Sequence, residues 1–97
     1  MYDLVLSSAA GRYFKKIREH GLKKSLSEAL NDICNNPYIG ELKTGDLSGL
    51  YGYDVYYKGT NYEIAYKIYE EGENLIVVIL AGTRENFYEE LKRYINN

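Results

Sequence analysis

Residues 75–94 read LIVVILAGTRENFYEELKRY. The run from Leu75 to Ala81 is apolar on both faces, which predicts a central strand covered on both sides. Gly82 is expected to break it. Thr83 then stands as a helix N-cap, and Glu85 suits the positive end of the helix dipole. Tyr88, Leu91 and Ile95 follow at helical spacing and predict a terminal helix with one apolar stripe. The stretch therefore delivers a cation, Arg84, and an aromatic, Tyr88, to the exit of a rigid strand. Functional groups held on rigid elements make precise sites.

Working back toward the N-terminus, Glu70 to Asn74 (EEGEN) reads as a turn. Tyr62 to Tyr69 (YEIAYKIY) alternates as a strand, with Tyr62, Ile64, Tyr66 and Ile68 on one face. Glu63, Ala65, Lys67 and Tyr69 share the other. Gly59 to Asn61 reads as a tight turn, and Tyr51 to Lys58 (YGYDVYYK) as the strand before it. These are three hairpin-linked strands. Residues 38–50 are expected to be irregular, with Leu42, Leu47 and Leu50 able to reach the core.

The first third reads differently. Tyr2 to Leu6 (YDLVL) is a short alternating strand. Ser7 or Ser8 can cap a helix over Ala9–His20, with Tyr13, Phe14 and Ile17 on its inner face and Gly21 at its end. A second helix is expected from Leu22 or Ser25 to Ile33, with a Ser25–Glu28 capping box and a Leu22, Leu26, Leu30, Ile33 stripe. Asn35, Asn36 and Pro37 stop it. The short link implies a two-helix hairpin. The expected fold class is α+β: an N-terminal strand and the helix hairpin packed on a small, mainly antiparallel sheet, with a C-terminal helix.

Composition narrows the function classes. Ninety-seven residues suit one small domain. No apolar run is long enough for a membrane span, and MYDLVLSS has no basic segment ahead of its apolar residues, so it does not read as a signal peptide. The expected compartment is the cytoplasm. One cysteine, Cys34, and one histidine, His20, exclude an internal disulfide and leave almost nothing for a His/Cys metal site. Cys34 reads as a small buried hydrophobe, His20 as a surface residue. Twelve tyrosines stand beside two phenylalanines and no tryptophan. Tyrosine suits base stacking, half-buried strands and interfaces alike. The net charge is −2 but segregated: residues 1–24 are basic, 25–74 acidic and 75–97 balanced. The basic side chains Arg12, Lys15, Lys16, Arg18, Lys23 and Lys24 form either a solvated helix face or a foothold on ribosomal RNA.

The order of elements, the length, LKTGDLSGLYGYDV ahead of the meander, YEIAYKI within it, and GTRE followed by a helix tyrosine together resemble the RelE/ParE superfamily of toxins from type II toxin–antitoxin pairs. The resemblance covers nearly the whole chain, 1–97 as one toxin domain, and is tightest from Asp46 to Tyr94. It implies a cognate antitoxin as partner. RelE-like members are ribosome-dependent mRNA endonucleases, with ribosome and mRNA as partners. ParE-like members share the fold and poison DNA gyrase without being enzymes. An inactive, toxin-derived interaction module is a third reading. No cofactor, metal or membrane is implied.

On the RelE-like reading the catalytic candidates are Arg84, Tyr88 and Glu63. Arg84 matches the family's "G.RE" arginine, and a guanidinium can hold charge that builds on a scissile phosphate; its bland alternative is an ion pair with Glu85 or Glu89. Tyr88 resembles the C-terminal tyrosine that stacks or donates a proton near the cleaved phosphate, with Phe87 as the competing packing residue. Lys43, Lys58, Lys67, Lys92 and Arg93 are the RNA-binding candidates, or else ordinary surface charges. The chain departs from the family pattern at Glu63, where "YRL" has an arginine, and at Asp54 and Tyr56, where lysines are usual. Either Glu63 is a base for the 2′-hydroxyl, or Lys67 supplies the missing cation.

Overall fold

The computed structural model describes residues 2–96. Strand β1 (Asp3–Leu6) leads into helices α1 (Ser8–Lys16) and α2 (His20–Asn35). A 3-10 turn at Pro37–Ile39, the two-residue strand β2 (Glu41–Leu42) and a second 3-10 turn at Gly45–Leu47 follow. The meander is β3 (Tyr51–Tyr57), β4 (Thr60–Tyr69) and β5 (Leu75–Thr83), and α3 (Phe87–Ile95) closes the chain. The sheet order is β1-β5-β4-β3-β2, with β1 parallel to β5 and the remaining pairs antiparallel. This is the expected α+β class.

Both faces of the sheet are covered, as the apolar character of β5 requires. On one face α1 lies over β5 and α2 over β3. Leu22, Leu26, Ala29 and Ile33 of α2 meet Val55, Ile64, Tyr66, Ile76, Val78 and Ala81. On the other face Phe87 and Leu91 of α3 pack with Leu47, Leu50 and Ala65. Leu47 and Leu50 thus do reach the core, from the irregular segment.

Four boundaries differ from expectation. Helix α1 ends at Lys16, not His20, because Ile17 turns to extended backbone and packs toward the core. Gly21 ends nothing: it lies in the first turn of α2, where a Cβ would stand 2.0 Å from the Tyr57 hydroxyl. Its smallness serves close packing, and Ser25 is interior to α2 rather than its cap. Gly82 does not break β5, which runs on to Thr83; the helix cap is Asn86, in the left-handed region at φ 60°. The turn between β3 and β4 is Lys58–Gly59 rather than Gly59–Asn61: Asn61 is already paired with Tyr56, and Lys58 and Gly59 both have positive φ, as a two-residue type I′ hairpin demands.

One serine joins three elements. Ser7 accepts from the Ala10 amide at 3.1 Å, capping α1. Its own hydroxyl donates at 2.6 Å to the carbonyl of Ile79. Ile79 is the unpaired residue where the β4–β5 register shifts between Ala65 and Tyr66.

Candidate functional site

The register places Asp54 opposite Glu63 and Glu63 opposite Gly82. Side chains opposite one another share a face, so this row crosses β3, β4 and β5 on the α3 side. The neighbouring row pairs Gly52 with Ala65. A Cβ on Gly52 would lie 2.5 Å from Glu63 Oε2 and 2.7 Å from Lys43 Cε. Gly52 therefore makes the room that two charged side chains occupy.

Glu63 is 1% exposed. Its Oε2 accepts from the Tyr88 hydroxyl at 2.9 Å. Its Oε1 is buried without a hydrogen bond, and Arg84 Nε stands 3.6 Å away. Arg84 reaches Asp54 as well, Nη1 to Oδ1 at 3.4 Å. Burial first, then neighbouring Asp54, pushes the Glu63 carboxyl up to about 7, while the Tyr88 hydroxyl and Arg84 pull the other way. Near neutral pH this group is therefore divided between acid and carboxylate.

The Tyr88 ring receives two cations: Lys43 Nζ at 5.0 Å and Arg84 Cζ at 5.5 Å from its centroid. Lys43 is also clasped by Glu41 at 2.6 Å. Burial works against its ammonium, but Glu41 and Tyr88 outweigh that and hold the Lys43 pKa above its usual value. Burial raises the Tyr88 phenol; Lys43 opposes the shift and Glu63 adds to it.

The elements explain why these groups meet. Arg84 follows β5 directly, its backbone amide bonded to the Asn61 carbonyl at 2.9 Å, so it lies in the tight turn ahead of α3 rather than on the helix. Tyr88 is the second residue of α3, set beside the sheet by its buried neighbour Phe87. The Lys43 backbone N–H donates to the Leu50 carbonyl at 2.8 Å, which holds this residue in place.

The cluster thus unites Arg84, Tyr88, Glu63 and Lys43. Lys58 is elsewhere, in the hairpin turn and paired with Glu19 at 3.0 Å. Lys67 lies four residues along β4 from Glu63, 5.2 Å from the Tyr69 ring, beside a hollow lined by Leu47, Leu50 and Ile79. Lys92 faces Asp46 at 4.0 Å, and Arg93 lines a shallow hollow with Leu80, Glu90 and Tyr94. Arg84 pairs with neither Glu85 nor Glu89 among the described residues; its acids are Asp54 and Glu63. Sequence reasoning missed Gly52, Glu41 and Asn61. The hairpin register, had the turn been set at Lys58–Gly59, would have put Asp54 against Glu63. Among the described residues no three His, Cys, Asp or Glu side chains converge to hold a metal ion.

The model for ParE-like toxins of type II bacterial toxin–antitoxin systems matches residues 4–92. The chain belongs to this family. The fold of this ParE-like toxin is shared by solved RelE structures. The Escherichia coli RelBE toxin–antitoxin complex contains a chain 20% identical, with a TM-score of 0.70, covering 84% of this chain and 95% of that one. A chain of the Mycobacterium tuberculosis RelBE2 complex is 23% identical, with a TM-score of 0.67, covering 86% and 98%. A doubly substituted E. coli RelE in the free state is 21% identical, with a TM-score of 0.69, covering 95% and 96%. Comparison with curated proteins finds no sequence match.

Proposed function

We propose that this toxin is a RelE-like endoribonuclease that cleaves mRNA on the ribosome and is held inactive by a cognate antitoxin. The observation that carries the reading is the Glu63 carboxyl: buried, near neutrality in pKa, bonded to the Tyr88 hydroxyl and facing Arg84. A general base works best when its pKa lies near the working pH.

In this mechanism Glu63 takes the proton of a 2′-hydroxyl. The 2′-oxygen attacks the adjacent phosphorus, and the bond from phosphorus to the 5′-oxygen breaks. The products are a 2′,3′-cyclic phosphate and a 5′-hydroxyl. Tyr88 gives its proton to the departing oxygen and regains one from Glu63 along their hydrogen bond, so the site returns to its starting state. Arg84 turns from Asp54 and Glu63 to the phosphate and holds the charge that builds there. Its present ion pair with half-exposed Asp54 is a weak competitor, as surface pairs contribute about 0–1 kcal/mol. Lys43 flanks the phosphate; Lys58, Lys67, Lys92 and Arg93 contact RNA further out. On this reading residues 1–97 are one toxin domain that acts in the cytoplasm. No helix among the described residues is long and apolar enough to cross a membrane. Solved structures that share this fold include toxin–antitoxin complexes, which supports the antitoxin partner.

A second reading is a non-enzymatic inhibitor of DNA gyrase. It is favoured by the acids around the cations: Arg84 is opposed by Asp54 and Glu63, and Lys43 by Glu41. Programmed ribosomes carrying an empty A site separate the two. Cleavage of the mRNA at that site is expected. Intact mRNA, together with supercoiling defects on expression, would overturn the nuclease reading in favour of gyrase.

A further inference from the structure

The described tyrosines mostly spend their rings or hydroxyls inside the protein. Tyr2 and Tyr38 donate to Glu70, Tyr53 to Asp32, Tyr57 to Glu19, Tyr66 to Pro37 and Tyr88 to Glu63. Tyr56 does neither. It is 74% exposed, and among the described residues it has no hydroxyl partner and no stacked ring. It stands two residues from Asp54 on β3, hence on the same face and about 7 Å along the strand. Directly opposite, on β4, is Asn61. Its side-chain Oδ1 is buried without a hydrogen bond, and its carbonyl accepts the Arg84 amide. An exposed ring and an unspent amide thus share one row, next to the row that holds Asp54 and Glu63 and against the backbone of Arg84.

We propose that Tyr56 and Asn61 form a nucleobase subsite that takes an unpaired adenine of RNA, adjoining the phosphate held at Arg84. The inference rests on the nuclease reading above and names a substrate feature of that site. Unpaired RNA bases are recognised by stacking on aromatic side chains and by hydrogen bonds to their edges. A carboxamide presents a donor beside an acceptor, which matches the N7 acceptor and N6 amino donor of adenine; guanine shows two acceptors on that edge. Tyr56 supplies the stacking surface and Asn61 the discrimination.

Two arms test this. In the first, the isotope-labelled protein is titrated with the tetraribonucleotides AAAA and UUUU and followed by NMR. The Tyr56 ring and Asn61 amide resonances are expected to move more with AAAA, Tyr56→Phe to bind as wild type, Tyr56→Ala to weaken binding roughly 5- to 150-fold, and Asn61→Ala to remove the preference for AAAA. Resonances of Tyr56 that stay fixed under both titrations, or a Tyr56→Ala protein that binds as wild type, overturn the subsite. In the second arm, the same variants are assayed for mRNA cleavage on ribosomes. Absence of cleavage by the wild type, with Tyr56 still responding to AAAA, retires the nuclease reading and leaves the subsite standing.

Discussion

Gly52 and Glu63 are complementary in shape: the space a Cβ at residue 52 would fill, 2.5 Å from Glu63 Oε2, is where the carboxylate rests. The next residue along β3 that faces the same way is Asp54, and Arg84 bridges Asp54 to Glu63. A backbone position with no side chain thus determines whether a buried acid can sit in the sheet at all.

Gly52→Ala is expected to displace both Glu63 and Lys43. Overpacking of this kind costs about 1–3 kcal/mol, which urea unfolding would register as a lower midpoint. Cleavage on ribosomes should fall further than stability does, because the Tyr88–Glu63 hydrogen bond is lost. An alanine variant with wild-type stability and wild-type cleavage would contradict the packing seen here.

The stability of the protein should depend on pH through Glu63. Its carboxyl titrates near 7 in the folded state, above the ordinary 4.5, so the folded chain binds the proton more tightly than the unfolded one. Stability from this group is full below about pH 4.5 and is lost as pH rises through 7. The loss is at most about 3 kcal/mol, before relaxation of Asp54, Arg84, Lys43 and Tyr88 around it. Glu63→Gln should flatten the slope between pH 5 and 8 in chemical denaturation, and should abolish cleavage if the residue is the base. Cleavage surviving the glutamine would reject that role.

Arg84→Ala should separate function from stability. Its pair with half-exposed Asp54 contributes less than about 1 kcal/mol. Below about pH 6, where buried Glu63 is largely protonated and needs no cation, the fold is expected to change little; above about pH 8 the unpaired Glu63 carboxylate should make the loss larger. Loss of a donor to a developing charge lowers catalysis roughly 100- to 1,000-fold. Arg84→Lys should recover little, since an ammonium lacks the paired donors of the guanidinium. Single-turnover cleavage beside thermal unfolding measures both effects.

Ser7→Ala removes a helix cap and leaves the Ile79 carbonyl without its hydroxyl partner at the strand irregularity. Together these are expected to destabilise the protein by about 1–3 kcal/mol, with hydrogen exchange rising first at Ala10 and around Ile79. Ser7→Thr, which keeps the hydroxyl, should recover most of the loss.

The meander, the covered β5 and the terminal helix were legible because their periodicities are strong and local. The helix boundaries were less so. A glycine near a helix end suggests a C-cap, but Gly21 is small for the sake of Tyr57, 36 positions away in sequence yet in contact in space. Gly82 looked like a strand breaker because nothing local shows that it faces Glu63 across the sheet. The candidate residues Arg84, Tyr88 and Glu63 could be named one by one. Their union could not, since a one-residue error in the Lys58–Gly59 turn changes which side chains face each other. The pairing of Lys43 with the Tyr88 ring depends on an irregular segment with no periodicity to read.

The parallel pairing of β1 with β5 has a consequence for the order of events during synthesis. Asp3 meets Leu75 and Leu6 meets Val78, so β1 waits for β5, the last of the five strands described. Pairings this distant in sequence are slow to close, and a chain emerging N-terminus first cannot finish its sheet until β5 has appeared. Arg84 and Tyr88 are made later still. The cluster around Glu63 is therefore assembled only after β5 and the first turn of α3 have been made, which separates the making of Glu63 from its capacity to act.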